Sequence, residues 1–170
     1  MSGAPTPKFS GKGRQRMRGE ELQVVPCRRE DLLAIRRILE DAPEAALWSE
    51  EALAAARNAT PDQFLVAQRA EEIVGFVLGR EIGSEAEILN LAVKQEFRRA
   101  GAGSALVNTL LKQYDAGGIG RVFLEVRESN GAAIAFYERL GFQQIGRRAG
   151  YYRDPVEAAL VLARGTCRKG

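Results

Sequence analysis

The segment formed by residues 89–106 constrains the fold more than any other part of the chain. In its first half, apolar residues occupy every second position, which predicts Leu89, Leu91 and Val93 on one face of a strand. In its second half, apolar residues recur at the spacing of a helix. The turn between the two halves, residues 98–104, contains two glycines. A strand that leads through a short turn into a helix is typical of domains in which helices cover a sheet. The segment therefore predicts a mixed α/β fold.

The same alternation between strand-like and helix-like stretches extends over the chain from residue 22 onward. Strands are predicted over residues 22–25, 64–67, 73–78, 87–93, 121–126, 142–145 and 158–162. Helices are predicted from about residue 32 to 39, from the cap Ser49 to about 57, from the glycine turn to the pair 117–118, and from the cap Ser129 or Asn130 to about 140. The order β-α-α-β-β-β-α-β-α-β-β describes one mixed α/β domain.

Composition excludes several classes of chemistry. The chain has no histidine, which removes His-dependent nucleophilic mechanisms and His-ligated metal sites. Cys27 and Cys167 lie far apart, and neither has a CxxC partner, which suits a reducing compartment. No apolar run is long enough for a signal peptide or a membrane span. We therefore expect a cytoplasmic protein with no membrane partner and no metal.

The positive charge of the chain is concentrated at its start. Residues 1–19 carry five basic and no acidic residues, whereas the rest of the chain has 20 basic and 22 acidic residues. The first 19 residues are also almost free of aliphatic side chains, which predicts a disordered basic tail followed by a single domain over residues 20–166. Such a tail can contact rRNA weakly, and it can equally remain solvated.

The glycine turn has the pattern R-x-x-G-x-G, formed by Arg98, Gly101 and Gly103. Backbone N–H groups are bare at the start of a helix, where the helix dipole adds positive potential, so a phosphate fits there. A dinucleotide fingerprint needs a glycine where the chain has Leu106, and a P-loop needs a Gly-Lys-Ser/Thr sequence that is absent. By itself the pattern indicates either a phosphate-binding turn or only a tight connection between strand and helix.

Two further motifs follow this turn in the chain. They are LEVRESN at residues 124–130 and FYERLGF at residues 136–142. In this order and combination, the chain resembles the GNAT superfamily of acetyl-CoA-dependent N-acetyltransferases over residues 22–164. The motif at 124–130, the sequence LWSE at 47–50 and the tandem tyrosine within 147–152 are similar to bacterial ribosomal-protein-alanine N-acetyltransferases. The resemblance implies a central mixed, mostly antiparallel β-sheet flanked by helices, with splayed strands at the acetyl-CoA site.

The resemblance also implies which residues hold acetyl-CoA. The strand backbone would bind it at Leu91, Ala92 and Val93, as an added strand would be bound. Asn130 would hydrogen-bond the pantetheine arm with a side-chain amide that also caps a helix. The turn would wrap the pyrophosphate through Arg99, Ala100, Gly101, Ala102, Gly103 and Ser104.

Two catalytic residues are implied in the same way. Glu125 corresponds to the general base of the family, and its apolar neighbours would shelter the carboxylate; an ordinary outward-facing strand acid is the alternative. Tyr137 corresponds to the proton donor, with core packing as the alternative. The implied mechanism is direct acetyl transfer within a ternary complex, without a metal.

By the same resemblance, Trp48, Tyr151 and Tyr152 would line the site that binds the acceptor amine. Core packing explains Trp48 equally well. We expect an enzyme that acetylates the α-amine of a protein N-terminus, in particular the N-terminal alanine of a small-subunit ribosomal protein. One alternative is a related acetyltransferase for a lysine side chain or a small amine. Another is a ribosome- or RNA-binding module whose acyl-CoA site is only structural, but such a module has no need of Glu125 and Tyr137.

Overall fold

The computed structural model describes residues 21–42, 44–45 and 48–165. Its strands are β1 (Leu22–Pro26), β2 (Phe64–Arg69), β3 (Glu72–Ile82), β4 (Glu85–Val93), β5 (Arg121–Arg127), β6 (Gln143–Arg153) and β7 (Val156–Gly165). Its helices are α1 (Leu32–Glu40), α2 (Glu50–Ala59), α3 (Ala102–Ala116) and α4 (Gly131–Arg139). The predicted order of elements is confirmed. The predicted tail and both ends of the predicted domain lie outside the described residues.

The strands form a single seven-stranded sheet in the order β1-β2-β3-β4-β5-β7-β6. Neighbouring strands are antiparallel except β4 and β5, which are parallel. A parallel pair needs a crossover connection, and α3 provides it. The prediction of a mixed, mostly antiparallel sheet is therefore confirmed.

Helices cover both faces of the sheet. One hydrophobic cluster joins α3 to the sheet through buried residues that include Leu106, Leu110 and Tyr114, and residues of α4 pack into it. We call this side the α3/α4 face. A second cluster joins α1 and α2 to β2 and β3, and it includes the buried Ile35 and Leu53. This side is the α1/α2 face, and the two clusters together form the core.

A bulge interrupts β4 at Leu89. The pairing of β4 with β3 passes from Ile88 directly to Asn90, which leaves Leu89 as the extra residue. Because one extra residue exchanges the two faces of a strand, Leu91 and Val93 pack on the α3/α4 face, whereas Leu89 packs on the α1/α2 face. The prediction that these three side chains share one face was wrong for this reason.

The described residues contain neither a membrane-spanning helix nor a cluster of metal-binding side chains. No described helix has both the length and the apolar character needed to cross a membrane. The described part of the chain also has no group of three or more His, Cys, Asp or Glu side chains arranged to hold a metal ion.

Candidate active site

The two parallel strands of the sheet separate halfway along their length. β4 and β5 pair from Glu85 and Arg121 as far as Ile88 and Leu124, and no later pair of residues joins them in the described structure. β4 nevertheless remains paired with β3 as far as Val93. We call the opening beyond Ile88 and Leu124 the β4–β5 cleft. The splayed strands that the sequence predicted are present.

One edge of this cleft is the part of β4 that was expected to bind acetyl-CoA. Leu91, Ala92 and Val93 pair with β3 on one side, so their other backbone edge lies along the cleft. An extended molecule with amide groups can hydrogen-bond to such an edge as a further strand would. The backbone geometry therefore fits the pantetheine arm of acetyl-CoA.

The glycine turn connects the end of β4 to the first turn of α3. Gly101 is the N-cap of α3, with a left-handed φ of 90°, and Arg99 is also left-handed with a φ of 61°. A Cβ at Gly101 would meet no atom within 4 Å, so the space beside this backbone is open. The first N–H groups of a helix have no partner within the helix, and here they follow directly in Ala102, Gly103 and Ser104. The turn therefore fits a pyrophosphate.

Gly103 lies where α3 packs beside α4. A Cβ at this position would lie 3.4 Å from Cζ of Phe136, which belongs to α4. That distance is an ordinary van der Waals contact, so the packing would accommodate a small side chain. Of the two glycines of the motif, only Gly101 is therefore required by its backbone conformation.

Arg98, the first residue of the motif, is held by the protein itself. Its Nε donates a hydrogen bond to the carbonyl of Val93 at 3.0 Å, and its Nη2 lies 2.5 Å from Oε1 of Glu44. The guanidinium thereby connects the end of β4 to the loop between α1 and α2. We conclude that Arg98 organises the turn.

Asn130 is the N-cap of α4. Of the two caps that the sequence offered, Ser129 and Asn130, the second is confirmed. Its Oδ1 accepts a hydrogen bond from the N–H of Ala133 at 3.0 Å, so the Nδ2 group carries the donors that could serve a ligand. The turn before the cap is held by Glu157, whose carboxylate accepts from the N–H of Ser129 at 2.5 Å and pairs with Arg127 at 3.2 Å. These hydrogen bonds lower the pKa of Glu157.

Glu125 lies on the α1/α2 face of β5. Its neighbours Leu124 and Val126 are buried in the opposite cluster, and side chains alternate along a strand. Only 11% of the Glu125 side chain is exposed, and its Oε1 lies 2.8 Å from Nη1 of Arg148. The hydroxyl of Tyr151 also hydrogen-bonds to this carboxylate, and that bond raises the pKa of Tyr151 to about 12. The sheltered carboxylate thus has polar partners as well as the apolar neighbours expected from the sequence.

Tyr137 lies on the other face of the sheet. It is buried in the α3/α4 cluster, with ring centroids 5.0 Å from Phe136 and 5.5 Å from Phe142. Burial raises the pKa of its hydroxyl above the ordinary value of ~10, at which a tyrosine is already protonated at neutral pH. Tyr137 contributes to core packing, as its alternative interpretation requires. Its placement also puts a phenol and the Glu125 carboxylate on opposite faces of the sheet that contains the cleft.

The tandem tyrosines of β6 lie beside Glu125. The rings of Tyr151 and Tyr152 make an edge contact at 5.2 Å, and the guanidinium of Arg127 lies 4.1 Å from the centroid of Tyr152. Tyr151 is one of the large apolar or aromatic side chains that remain exposed, at 45%. Together these contacts form a fixed aromatic wall next to the carboxylate.

The position of Trp48 is explained by packing between α1 and α2. It packs against the α1/α2 cluster and lines a cavity of about 350 Å³ with residues of α1 and α2, among them Leu39 and Glu50. It therefore shares a face of the sheet with Glu125. The contact with the core supports the packing alternative, and the structure joins Trp48 to none of the other predicted site residues by a described contact.

Sequence reasoning did not identify Arg148 as a partner of Glu125. Two adjacent arginines precede the tyrosines, and the structure assigns them to different acids: Arg147 pairs with Glu128 at 2.7 Å, and Arg148 pairs with Glu125 at 2.8 Å. The alternation of a strand separates the two side chains. The sequence has no signal that tells which of the two faces the site.

Comparison with known proteins agrees with this geometry. The model of the Acetyltransferase (GNAT) family matches residues 32–142. The chain is 34% identical over 127 residues to the [ribosomal protein bS18]-alanine N-acetyltransferase of Escherichia coli strain K12. These 127 residues represent 74% of this chain and 85% of the relative.

Two solved structures are similar over nearly their whole length. Ard1 from Thermoplasma volcanium superposes with a TM-score of 0.82 at 29% identity, covering 86% of this chain and 99% of that one. The ribosomal-protein-S18-alanine N-acetyltransferase from Escherichia coli superposes with a TM-score of 0.76 at 29% identity, covering 88% and 97%. Because the family model covers more than half of the chain, this protein belongs to the GNAT family and is an N-acetyltransferase.

Proposed function

We propose that this enzyme transfers the acetyl group of acetyl-CoA to the α-amine of a protein N-terminus, with the N-terminal alanine of ribosomal protein bS18 as the favoured acceptor. The observation that carries the proposal is the cluster of Glu125, Arg148 and Tyr151, in which Arg148 pairs with Glu125 at 2.8 Å and its guanidinium lies 5.8 Å from the ring centroid of Tyr151. It joins a sheltered carboxylate to an aromatic wall on the face of the sheet opposite Tyr137. The similarity to bS18-alanine N-acetyltransferases supports the choice of acceptor.

The chain binds acetyl-CoA through backbone groups in this proposal. Leu91, Ala92 and Val93 hydrogen-bond the pantetheine arm along the cleft, and Asn130 adds its side-chain amide. The turn at the start of α3 binds the pyrophosphate through its N–H groups. Acetyl-CoA, when bound, supplies the thioester carbonyl that the amine attacks and the thiolate that leaves.

Two residues on opposite faces of the sheet, Glu125 and Tyr137, carry out the proton transfers in this proposal. Glu125 accepts a proton from the attacking amine, directly or through one water molecule. A backbone N–H of β4 beyond the bulge donates to the carbonyl oxygen as negative charge develops there. The hydroxyl of Tyr137, which is protonated at neutral pH, donates its proton to the departing sulfur. Base and acid thus act from opposite sides of the cleft.

The chemistry of the acceptor favours an α-amine over a lysine. An α-amine titrates near pH ~7.7–8.0 and a lysine near ~10.4, so the neutral fraction at pH 7 differs by roughly two to three orders of magnitude. A single carboxylate such as Glu125 therefore removes a proton more easily from an α-amine than from a lysine side chain. The wall formed by Tyr151 and Tyr152 suits an extended peptide with a small first residue.

A competition experiment tests the proposal. The enzyme is given acetyl-CoA with three acceptors at equal concentration: a peptide that begins with the N-terminal sequence of bS18, the same peptide with a blocked N-terminus and an internal lysine, and a polyamine. Mass spectrometry should show acetylation of the first peptide at its α-amine before the others. Preferential acetylation of the blocked peptide or of the polyamine would contradict the proposal and favour a lysine or small-amine acetyltransferase.

A further inference from the structure

Arg148 reaches Glu125 across an intervening strand. It lies on β6, at the edge of the sheet, and pairs with Ala159 of β7, which in turn pairs with Arg127 of β5. Cross-strand partners lie on the same face of a sheet. Because Ala159 is small, the long side chain of Arg148 can pass over β7, and its Nη1 lies 2.8 Å from Oε1 of Glu125.

An irregularity in β6 brings a second group to the same carboxylate. Between Arg148 and Tyr152, three residues of β6 lie opposite a single residue of β7, and one of them, Gly150, has a left-handed φ of 60°. Bulges of this kind redirect side chains next to active sites. Tyr151 belongs to this bulge, and its hydroxyl bonds to Glu125. β6 therefore supplies both described side-chain partners of the carboxylate, Arg148 from its regular pairing with β7 and Tyr151 from the irregularity that follows.

The pair presents its positive member to solvent. The Arg148 side chain is 58% exposed, whereas that of Glu125 is 11% exposed. A molecule that approaches the carboxylate from solvent therefore meets the guanidinium at its edge. Because the two charges cancel, the pair has no net attraction for an ammonium ion, and the exposed guanidinium repels one at short range.

A neutral amine is not subject to this repulsion. A carboxylate offers about four lone-pair positions, so Glu125 with two partners can still accept a hydrogen bond from an amine. An α-amine is neutral in an appreciable fraction near pH 7, whereas lysine side chains and polyamines remain charged. The arrangement therefore separates acceptors by charge as well as by shape.

We propose that Arg148 is a specificity-determining residue, which keeps cationic amines from Glu125 and so favours a neutral α-amine over lysine side chains and polyamines. This inference rests on the proposed function for its account of the natural acceptor. Arg148 also positions the carboxylate through the 2.8 Å ion pair. The exclusion of cations is nevertheless measurable whichever acceptor the enzyme prefers.

The test compares kcat/KM for the alanine peptide and for a polyamine in four enzymes at one pH: wild type, Arg148→Gln, Arg148→Lys and Arg147→Gln. Arg148→Gln should raise kcat/KM for the polyamine relative to that for the peptide by about tenfold, mainly through a lower KM, because the carboxylate loses its cationic neighbour. Arg148→Lys keeps the charge and should keep most of the discrimination. Arg147→Gln removes an equally exposed arginine that pairs with Glu128 instead, and it should leave the ratio unchanged.

Several outcomes would overturn the inference. They are an unchanged ratio in Arg148→Gln, whether or not both rates fall, or the same change of ratio in Arg147→Gln. An equal loss for both acceptors would indicate a merely structural role. A wild-type enzyme that prefers the polyamine contradicts the proposed function, but the effect of Arg148→Gln on the ratio still decides the inference. High salt should reduce the preference for the peptide over the polyamine in wild type, because salt screens the charge of Arg148. The same change of salt should leave the preference of Arg148→Gln unaltered, and this pair of results supports the inference.

Discussion

The hydroxyl of Tyr114 occupies the space that a side chain at Gly79 would need: a Cβ added to Gly79 would lie 2.1 Å from the Tyr114 oxygen. Tyr114 lies on α3 and is completely buried, so its ring has no room to move aside. Gly79 lies where the pairing of β3 with β4 shifts, next to the bulge at Leu89. This contact fixes α3 against the strand pair whose far end forms the cleft.

The first prediction concerns this contact. Gly79→Ala should lower the free energy of unfolding by about 3 kcal/mol, because overpacking a rigid core displaces neighbouring side chains. Tyr114→Phe removes the obstructing oxygen, so the double variant should be more stable than the sum of the single effects by at least about 1 kcal/mol. Urea unfolding of the three variants measures this coupling.

Gly131→Ala is the matched control for that cycle. A Cβ there would meet no atom within 4 Å, so the substitution should change stability by less than about 0.5 kcal/mol. Strictly additive effects of Gly79→Ala and Tyr114→Phe would show that the close contact does not limit packing at this site.

The second prediction concerns the phosphate-binding turn. Gly101→Val should weaken acetyl-CoA binding by about tenfold or more, because the left-handed φ of 90° disfavours any side chain and a branched one obstructs the approach of a phosphate. Calorimetric titration with acetyl-CoA measures the change.

Gly118→Ala provides the comparison for the strain alone. Gly118 also has a left-handed φ, of 77°, and open space around it, but it follows the opposite end of α3. Both variants should lose about 1 kcal/mol of stability from backbone strain, and only Gly101→Val should lose affinity. Equal affinities in the two variants would remove the turn from the cofactor site.

The third prediction tests Glu125 as the base. Glu125→Gln should lower kcat at neutral pH by about 10²- to 10⁴-fold, and part of the rate should return at higher pH, where hydroxide can take the proton that the attacking amine gives up. A pH series of initial rates with the alanine peptide measures this. Glu128→Gln breaks the equivalent ion pair with Arg147 and should leave the rate near that of wild type. Similar losses in both variants would point to charge or folding instead of a base.

The fourth prediction tests Tyr137 as the acid. Tyr137→Phe should lower kcat by about 10²-fold or more and leave the KM for acetyl-CoA nearly unchanged, because the proton is needed only as the thiolate departs. The aromatic contacts with Phe136 and Phe142 remain possible for phenylalanine, so the core should tolerate the change. Wild-type turnover in this variant would leave Tyr137 with its packing role alone.

Local patterns were sufficient to predict the elements of this fold but not their irregularities. Spacing predicted the order of strands and helices, and the caps Ser49 and Asn130 follow from side-chain oxygens that accept from backbone N–H groups. The bulge at Leu89 was missed because a period-2 pattern has no mark for an extra residue. The position of Arg148 was missed for a similar reason, because it depends on strand order and on the register shift of β6 between Gln144 and Gly146, both of which are set by contacts distant in sequence.

The last prediction concerns stability at alkaline pH. Burial raises the pKa of Tyr114 and Tyr137 in the folded protein, whereas an unfolded tyrosine ionises near its ordinary value of ~10. The unfolded state therefore releases these protons first, and the stability that the buried neutral phenols contribute is complete below pH ~10 and is lost as the pH rises above it.

The free energy of unfolding, obtained from urea titrations between about pH 8 and 11, should therefore fall steeply above pH ~10, by up to about 1.4 kcal/mol per pH unit for each buried tyrosine. Tyr137→Phe should make the fall shallower, because one proton fewer is released on unfolding. Tyr151→Phe should also make the fall shallower in this range, because the pKa of Tyr151, about 12 in the folded protein, lies above its unfolded value as well. A slope that is the same in Tyr137→Phe and in wild type would show that the Tyr137 hydroxyl is not buried in solution.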